Sequence, residues 1–187
     1  SEDKEFMKRL QEEAKRAAQV VKDGGVILYP TDTIWGIGCD PQNEEAVDKI
    51  YALKGRPREK TMLLLASGFD MIADFVQAIP QEARELESRT TKPTTIIYPN
   101  AKNLAKNLLP DEKTMGIRIT RENFSKSMIE LLGKPVVSTS ANPSGVPYPE
   151  SFGELHASIV NGEDYVVGIH HDKGFAASPS AIVKLHS

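Results

Sequence analysis

The chain has 187 residues, 40% hydrophobic and 26% charged, with a formal net charge of −3 and one cysteine, Cys39. This composition fits one ordinary globular domain over residues 1–187, and it excludes an internal disulfide, as expected of a cytoplasmic protein. No apolar run approaches the ~18 residues of a membrane span, and a pI near 5.8 argues against broad nucleic-acid binding while leaving room for a local basic face.

The opening Ser1-Glu2-Asp3-Lys4-Glu5 lacks the apolar stretch of a signal peptide. Residues 4–22 read as an amphipathic helix, with Phe6, Met7, Leu10, Ala14, Ala17, Val20 and Val21 at helical spacing. Gly24-Gly25 ends it, and Val26 to Tyr29 is a short buried strand. Residues 43–54 form a second helix with Asn43 as N-cap. Met62 to Ala66 is a strand, and residues 69–89 hold two short helices split at Pro80. Strands follow at Thr94 to Tyr98 and Met115 to Ile119, then a helix at 123–132 closed by Gly133 and a strand at Val136 to Thr139. A loop rich in Pro, Ser and Gly spans Ser140 to Ser151. A last helix and strands near Tyr165 to Ile169 and Ala181 to Leu185 complete the chain. The alternation predicts an α/β fold with a mixed sheet flanked by helices.

Four stretches could carry chemistry. Tyr29-Pro30-Thr31-Asp32-Thr33 delivers two hydroxyls and a carboxylate at a strand's C-terminal end, where α/β sheets place ligands. The same residues also make a common turn, with Asp32 capping backbone amides. Lys54-Gly55-Arg56-Pro57-Arg58-Glu59-Lys60 puts four cations in a loop of an acidic chain, a place to hold an anion or simply a solvated turn. Arg118, flanked by apolar strand residues, needs either a paired carboxylate or a polar cavity. Ser138-Thr139-Ser140-Ala141-Asn142 offers hydroxyls and an amide, with Ser138 read as structural and Ser140 and Asn142 able to face one side.

Other features are negative. Gly36-x-Gly38 lacks the rest of a dinucleotide fingerprint. His156, His170, His171 and His186 have no metal-ligand spacing, so no protein-held metal is expected. Cys39 and Trp35 read as packing residues.

In order and spacing, Pro30-Thr31-Asp32-Thr33, Lys54-Gly55-Arg56 and Ser140-Ala141-Asn142 resemble the YrdC-like family, the threonylcarbamoyl-AMP synthases of tRNA modification. The resemblance covers nearly the whole chain. It implies a curved mixed α/β sheet around a positively lined cavity, and a nucleotidyltransferase that joins L-threonine, bicarbonate and ATP, with Mg²⁺, into threonylcarbamoyl-AMP and pyrophosphate. Downstream proteins then transfer the threonylcarbamoyl group to tRNA, and a tRNA or double-stranded RNA contact is implied as well. The alternative is a family relative that binds RNA or nucleotide without synthase activity.

Carried over by position, the resemblance assigns Thr31, Thr33, Arg118, Ser140 and Ser180 to threonine, and Lys54, Arg56, Lys60, Thr114 and Asn142 to ATP. Lys54 and Arg56 are the catalytic pair, expected to neutralise charge as two anions meet. Lys60 stands where the family has Asn, and Leu65 where it has a threonine-contacting His. Thr91-Lys92-Pro93-Thr94-Thr95 replaces a Trp-Pro-Gly-Pro-x-Thr segment, and Tyr148-Pro149-Glu150 replaces Ser-Pro-Thr. A further nucleotide-binding Arg lies in a strand that the family carries beyond the equivalent of Ser187.

Overall fold

The computed structural model describes residues 2–55, 62–171 and 180–185. Helix α1 runs Glu2–Lys22. Leu10, Ala14, Ala17, Ala18 and Val21 form its buried stripe, and three acidic residues in its first turn suit the positive end of the helix dipole. Phe6 and Met7, expected on that stripe, are 40% and 43% exposed, so the stripe begins one turn later than the spacing suggests. The helix stops where Gly24 takes φ 86°.

Strands β1 (Ile27–Tyr29) and β2 (Gly36–Gly38) follow as an antiparallel pair. Helix α2 (Glu44–Lys54) starts as expected, with Asn43 Oδ1 accepting from Ala46 N at 3.0 Å. It ends on Gly55 in the left-handed region, at φ 62°. Then come β3 (Leu63–Ala66), α3 (Phe69–Ile72), α4 (Gln81–Arg89), β4 (Thr94–Tyr98) and β5 (Met115–Ile119). Pro80 divides α3 from α4, and α4 begins immediately after it. Helix α5 (Asn123–Leu132) and strand β6 (Val136–Ser140) lead to a single 3₁₀ turn at Phe152–Glu154 and the short α6 (Ala157–Val160). Strands β7 (Tyr165–Val166) and β8 (Ala181–Lys184) complete the described chain.

The strands join in one mixed sheet, in the order β7-β1-β2-β6-β3-β5-β4-β8. Pairings β1–β7, β3–β5 and β4–β8 are parallel and the rest antiparallel. Strand β2 is an element that the sequence reading does not include. It exists because β1 pairs with one of its edges and β6 with the other. Strand β7 is shorter than expected, two residues rather than five.

Side-chain alternation divides the sheet into two faces. Leu28, Ile37, Val137, Leu64, Ile117 and Ile96 share one face by register and are buried. Helices α1 and α5 pack on each other and reach β1 and β3. The opposite face carries Ser138, Leu63 and Gly116 in one row and Arg118, Thr95 and Ile182 in another. This polar face forms the wall of the principal cavity.

Candidate active site

The site begins with the turn between β1 and β2. Thr31 Oγ1 donates to Ile34 O at 2.5 Å and accepts from Thr33 N at 3.1 Å, which closes a hydroxyl-stapled turn. Thr31 is therefore committed to the backbone through its hydroxyl, although it lines the cavity. The turn presents Asp32 and Thr33 toward β5. Among the described residues Asp32 caps no backbone amide; it pairs with Arg118.

Arg118 is 4% exposed, and partners surround its guanidinium. Asp32 Oδ1 accepts from Nε at 3.1 Å and stands 3.0 Å from Nη2. Nη2 also donates to Thr33 Oγ1 at 3.3 Å. Nη1 donates to Ser180 Oγ at 3.2 Å and to Thr95 Oγ1 at 3.4 Å. Thr95 and Ser180 share a hydroxyl–hydroxyl bond of 2.6 Å, which fastens the start of β8 to β4. The buried charge is thus compensated by one carboxylate and solvated by three hydroxyls, the requirement for any buried arginine.

The other end of the site is organised by Lys54, also 4% exposed, at the end of α2. Its Nζ donates to Thr139 Oγ1 (2.9 Å), Ser140 O (2.7 Å) and Ser140 Oγ (3.0 Å). The Lys54 carbonyl accepts from Ser144 N at 2.8 Å, so the loop after β6 is tied to the same residue. Lys54 meets the cavity through Ser140, which lines it.

Between these ends lies a cavity of about 280 Å³. Thr31, Thr33, Arg118, Ser140 and Ser180, the five residues assigned to threonine from sequence, all line it. Arg118 is the cation in its lining among the described residues. Ser138, read as structural from sequence, lines it too, because residues two apart on a strand share a face. Tyr148 and Ile182 contribute exposed apolar surface.

The residues assigned to ATP are more dispersed. Thr114 lies outside the lining, at the entrance to β5, with its hydroxyl 3.5 Å from Glu112 Oε1. Asn142 also lies outside it; its amide donates to Val146 O at 2.5 Å, and its buried Oδ1 has no hydrogen-bond partner among the described residues. Arg56 and Lys60 lie outside the described residues. Leu65 sits beside Arg118 in the β3–β5 register and is fully buried.

Thr95 is a site residue that the sequence reading passed over. Its only signal is register, since it stands directly opposite Arg118. Trp35 packs as expected, at 4.9 Å from Phe152 and 5.4 Å from His171, and those two rings stack at 3.8 Å.

Behind Asp32 is a second, smaller cavity of about 150 Å³, lined also by Glu87, Lys92 and Arg121. Glu87 pairs with Arg121 at 3.1 Å. Burial pushes the Glu87 carboxyl above its usual range, Arg121 opposes that shift, and the charge of Asp32 adds to it.

A mixed open sheet flanked by helices, with a buried, hydroxyl-ringed arginine in the wall of its principal cavity, defines an α/β protein of a recognisable class. The chain belongs to the Sua5/YciO/YrdC family, whose model, described as "Telomere recombination", matches residues 19–187. It is 33% identical over 162 residues to a threonylcarbamoyl-AMP synthase of Idiomarina loihiensis, covering 85% of this chain and 86% of that one. It is 36% identical over 154 residues to a protein of the same name from Pseudoalteromonas translucida, covering 81% and 82%. The fold matches P. abyssi Sua5 complexed with L-threonine, with a TM-score of 0.84 at 24% identity over 94% of this chain. The present chain spans about half the length of that Sua5, 51%.

Proposed function

We propose that this protein is an L-threonylcarbamoyladenylate synthase, which joins L-threonine, bicarbonate and ATP into threonylcarbamoyl-AMP and pyrophosphate for the modification of tRNA. The observation that carries this reading is the convergence of Thr31, Thr33, Arg118, Ser140 and Ser180 on one cavity of about 280 Å³. That volume lies near the lower end of small-molecule sites, roughly 300 Å³, and suits an amino acid. The named relatives at 33% and 36% identity support the same activity.

Arg118 holds the threonine carboxylate, and the hydroxyls of Thr33, Ser140 and Ser180 orient the rest of the molecule. Thr31 shapes the turn that presents Thr33. The threonine amine adds to the carbon of bicarbonate, and water leaves to give a carbamate. A carbamate oxygen then attacks the α-phosphorus of ATP, and pyrophosphate departs. Carbamate and triphosphate repel one another, so cations must lower the cost of bringing them together. Lys54 and Arg56 have this role, Lys54 acting at the Ser140 end. ATP extends past the cavity toward Thr114 and Asn142.

No group of three or more His, Cys, Asp or Glu suited to hold a metal exists among the described residues. In this reading magnesium enters as part of the substrate, carried on the triphosphate. The product passes to threonylcarbamoyl-transfer proteins acting on tRNA, which places the work in the cytoplasm. Among the described residues no helix is long and apolar enough to cross a membrane.

The test is pyrophosphate release with each of the three substrates omitted in turn, and mass detection of the adenylate. Release that requires all three supports the assignment. Release from ATP alone, or none at all, sinks it.

A further inference from the structure

The Arg118 guanidinium is held by a carboxylate along one edge and by neutral hydroxyls along the rest. Asp32 grips the Nε–Nη2 edge with a single oxygen, Oδ1, at 3.1 and 3.0 Å. The remaining contacts, to Thr33, Thr95 and Ser180, are longer neutral hydroxyl bonds of 3.2 to 3.4 Å. A carboxylate forms shorter and stronger bonds to guanidinium than a hydroxyl does. A ligand carboxylate can therefore displace hydroxyls from Nη1 and Nη2, whereas it cannot gain by displacing Asp32.

We propose that Asp32 is the positioning residue that aims Arg118 at the carboxylate of the amino-acid substrate, and so sets affinity for that substrate alone. The inference rests on the synthase reading above. Its geometry has three parts. Asp32 is fixed by the Thr31-stapled turn, so it is a rigid anchor. It lies in the wall between the main cavity and the 150 Å³ cavity behind it, and it lines only the latter. It therefore contacts the arginine without occupying the space in which the substrate sits. Among the described residues, its ion pair is with Arg118.

A residue that merely neutralised a buried charge would affect stability and leave substrate preference alone. A positioning residue shifts one substrate's affinity. The experiment is calorimetric titration of L-threonine, with KM values for threonine and ATP, on the wild type, Asp32→Asn and Asp32→Ala, with thermal unfolding run in parallel. Asp32→Asn keeps the shape and loses the charge. We expect threonine binding to weaken about 10-fold or more, since small misplacements of a binding group carry costs of that size. KM for ATP should stay within about twofold, and kcat at saturating threonine should change little. Asp32→Ala opens the wall to the rear cavity, so added formate should partly restore threonine affinity by standing in for the lost carboxylate.

An unchanged threonine affinity in folded Asp32→Asn overturns the inference, as does an equal rise in both KM values. If Asp32→Asn does not fold, failure of formate to improve threonine binding by Asp32→Ala overturns it instead. A wild type that binds no threonine overturns both this inference and the synthase reading. Normal threonine binding with indifferent variants overturns this one alone.

Discussion

The ring of Tyr29 occupies the space that a side chain at Gly38 would need. A methyl group at position 38 would stand 2.7 Å from Tyr29 Cε1 and 2.6 Å from Val137 O. The ring crosses β2 at this glycine, and its hydroxyl donates to Val137 O on β6 at 3.3 Å. Three strands are locked by one side chain laid over a residue that has none. Gly38→Ala must therefore move backbone or expel the ring. We expect a loss of about 2–3 kcal/mol, or a fall in Tm of about 5–10 °C. A thermal melt of the variant checks it, and a wild-type Tm would contradict the packing described.

Lys54 holds the other end of the site together. Replacing it by Met keeps the length and removes the three donors that reach Thr139 and Ser140. Stability should fall by about 2 kcal/mol, because those oxygens are left in a buried setting without their charged partner. Pyrophosphate release should fall by about 100-fold or more, since the charge at the Ser140 end goes as well. Activity and denaturant unfolding, measured on the same preparation, separate the two losses.

Glu163 makes stability depend on pH. Both its carboxylate oxygens are buried, with no hydrogen-bond partner from another of the described residues. Burial pushes its carboxyl up from 4.5 to about 7, its own backbone amide opposes the shift, and Asp164 adds to it. The folded chain thus binds this proton more tightly than the unfolded chain does. The stabilising contribution is fully present below about pH 4.5 and is lost as pH rises through about 7. The side chain is partly exposed, so screening reduces the effect to about 1 kcal/mol. Glu163→Gln should raise Tm at pH 8 relative to the wild type and change it little at pH 4.5.

Cys39 should be inert in the folded state. It is fully buried, burial pushes its thiol well above the usual range, and the charge of Asp40 adds to that shift. Only the thiolate reacts with disulfide reagents. We expect no labelling of the native protein, and one equivalent once it is unfolded in denaturant. Labelling of the native chain at the unfolded rate would contradict this burial.

Local features were legible in the sequence where local patterns determine them. The helix at 123–132, the Asn43 cap and the strands at 94–98 and 115–119 fall where apolar spacing and Gly or Pro punctuation put them. Strand β2 was not legible, because three residues with two glycines carry no propensity of their own; both neighbouring strands create it. The reading that placed Ser138 away from Ser140 contradicted strand alternation, and the structure puts both on the cavity. Arg118 was recognised as needing either a carboxylate or a polar cavity, and it has both. Which carboxylate it would find was not legible, since Asp32 lies 86 residues away. Thr95 was missed for the same reason, for only the register between β4 and β5 brings it to the arginine.

The guanidinium at the centre of the site draws on partners 23, 62, 85 and 86 residues distant along the chain. Such a centre cannot form until the sheet from β2 to β8 is assembled, and closing long loops makes assembly slow. A partly folded chain therefore has no binding site to offer. A ligand that seats against Arg118 recognises the completed fold alone and adds its whole binding free energy to the native state. In the cell, a supply of that ligand would act on this protein as a folding chaperone does, by depleting the unfolded population.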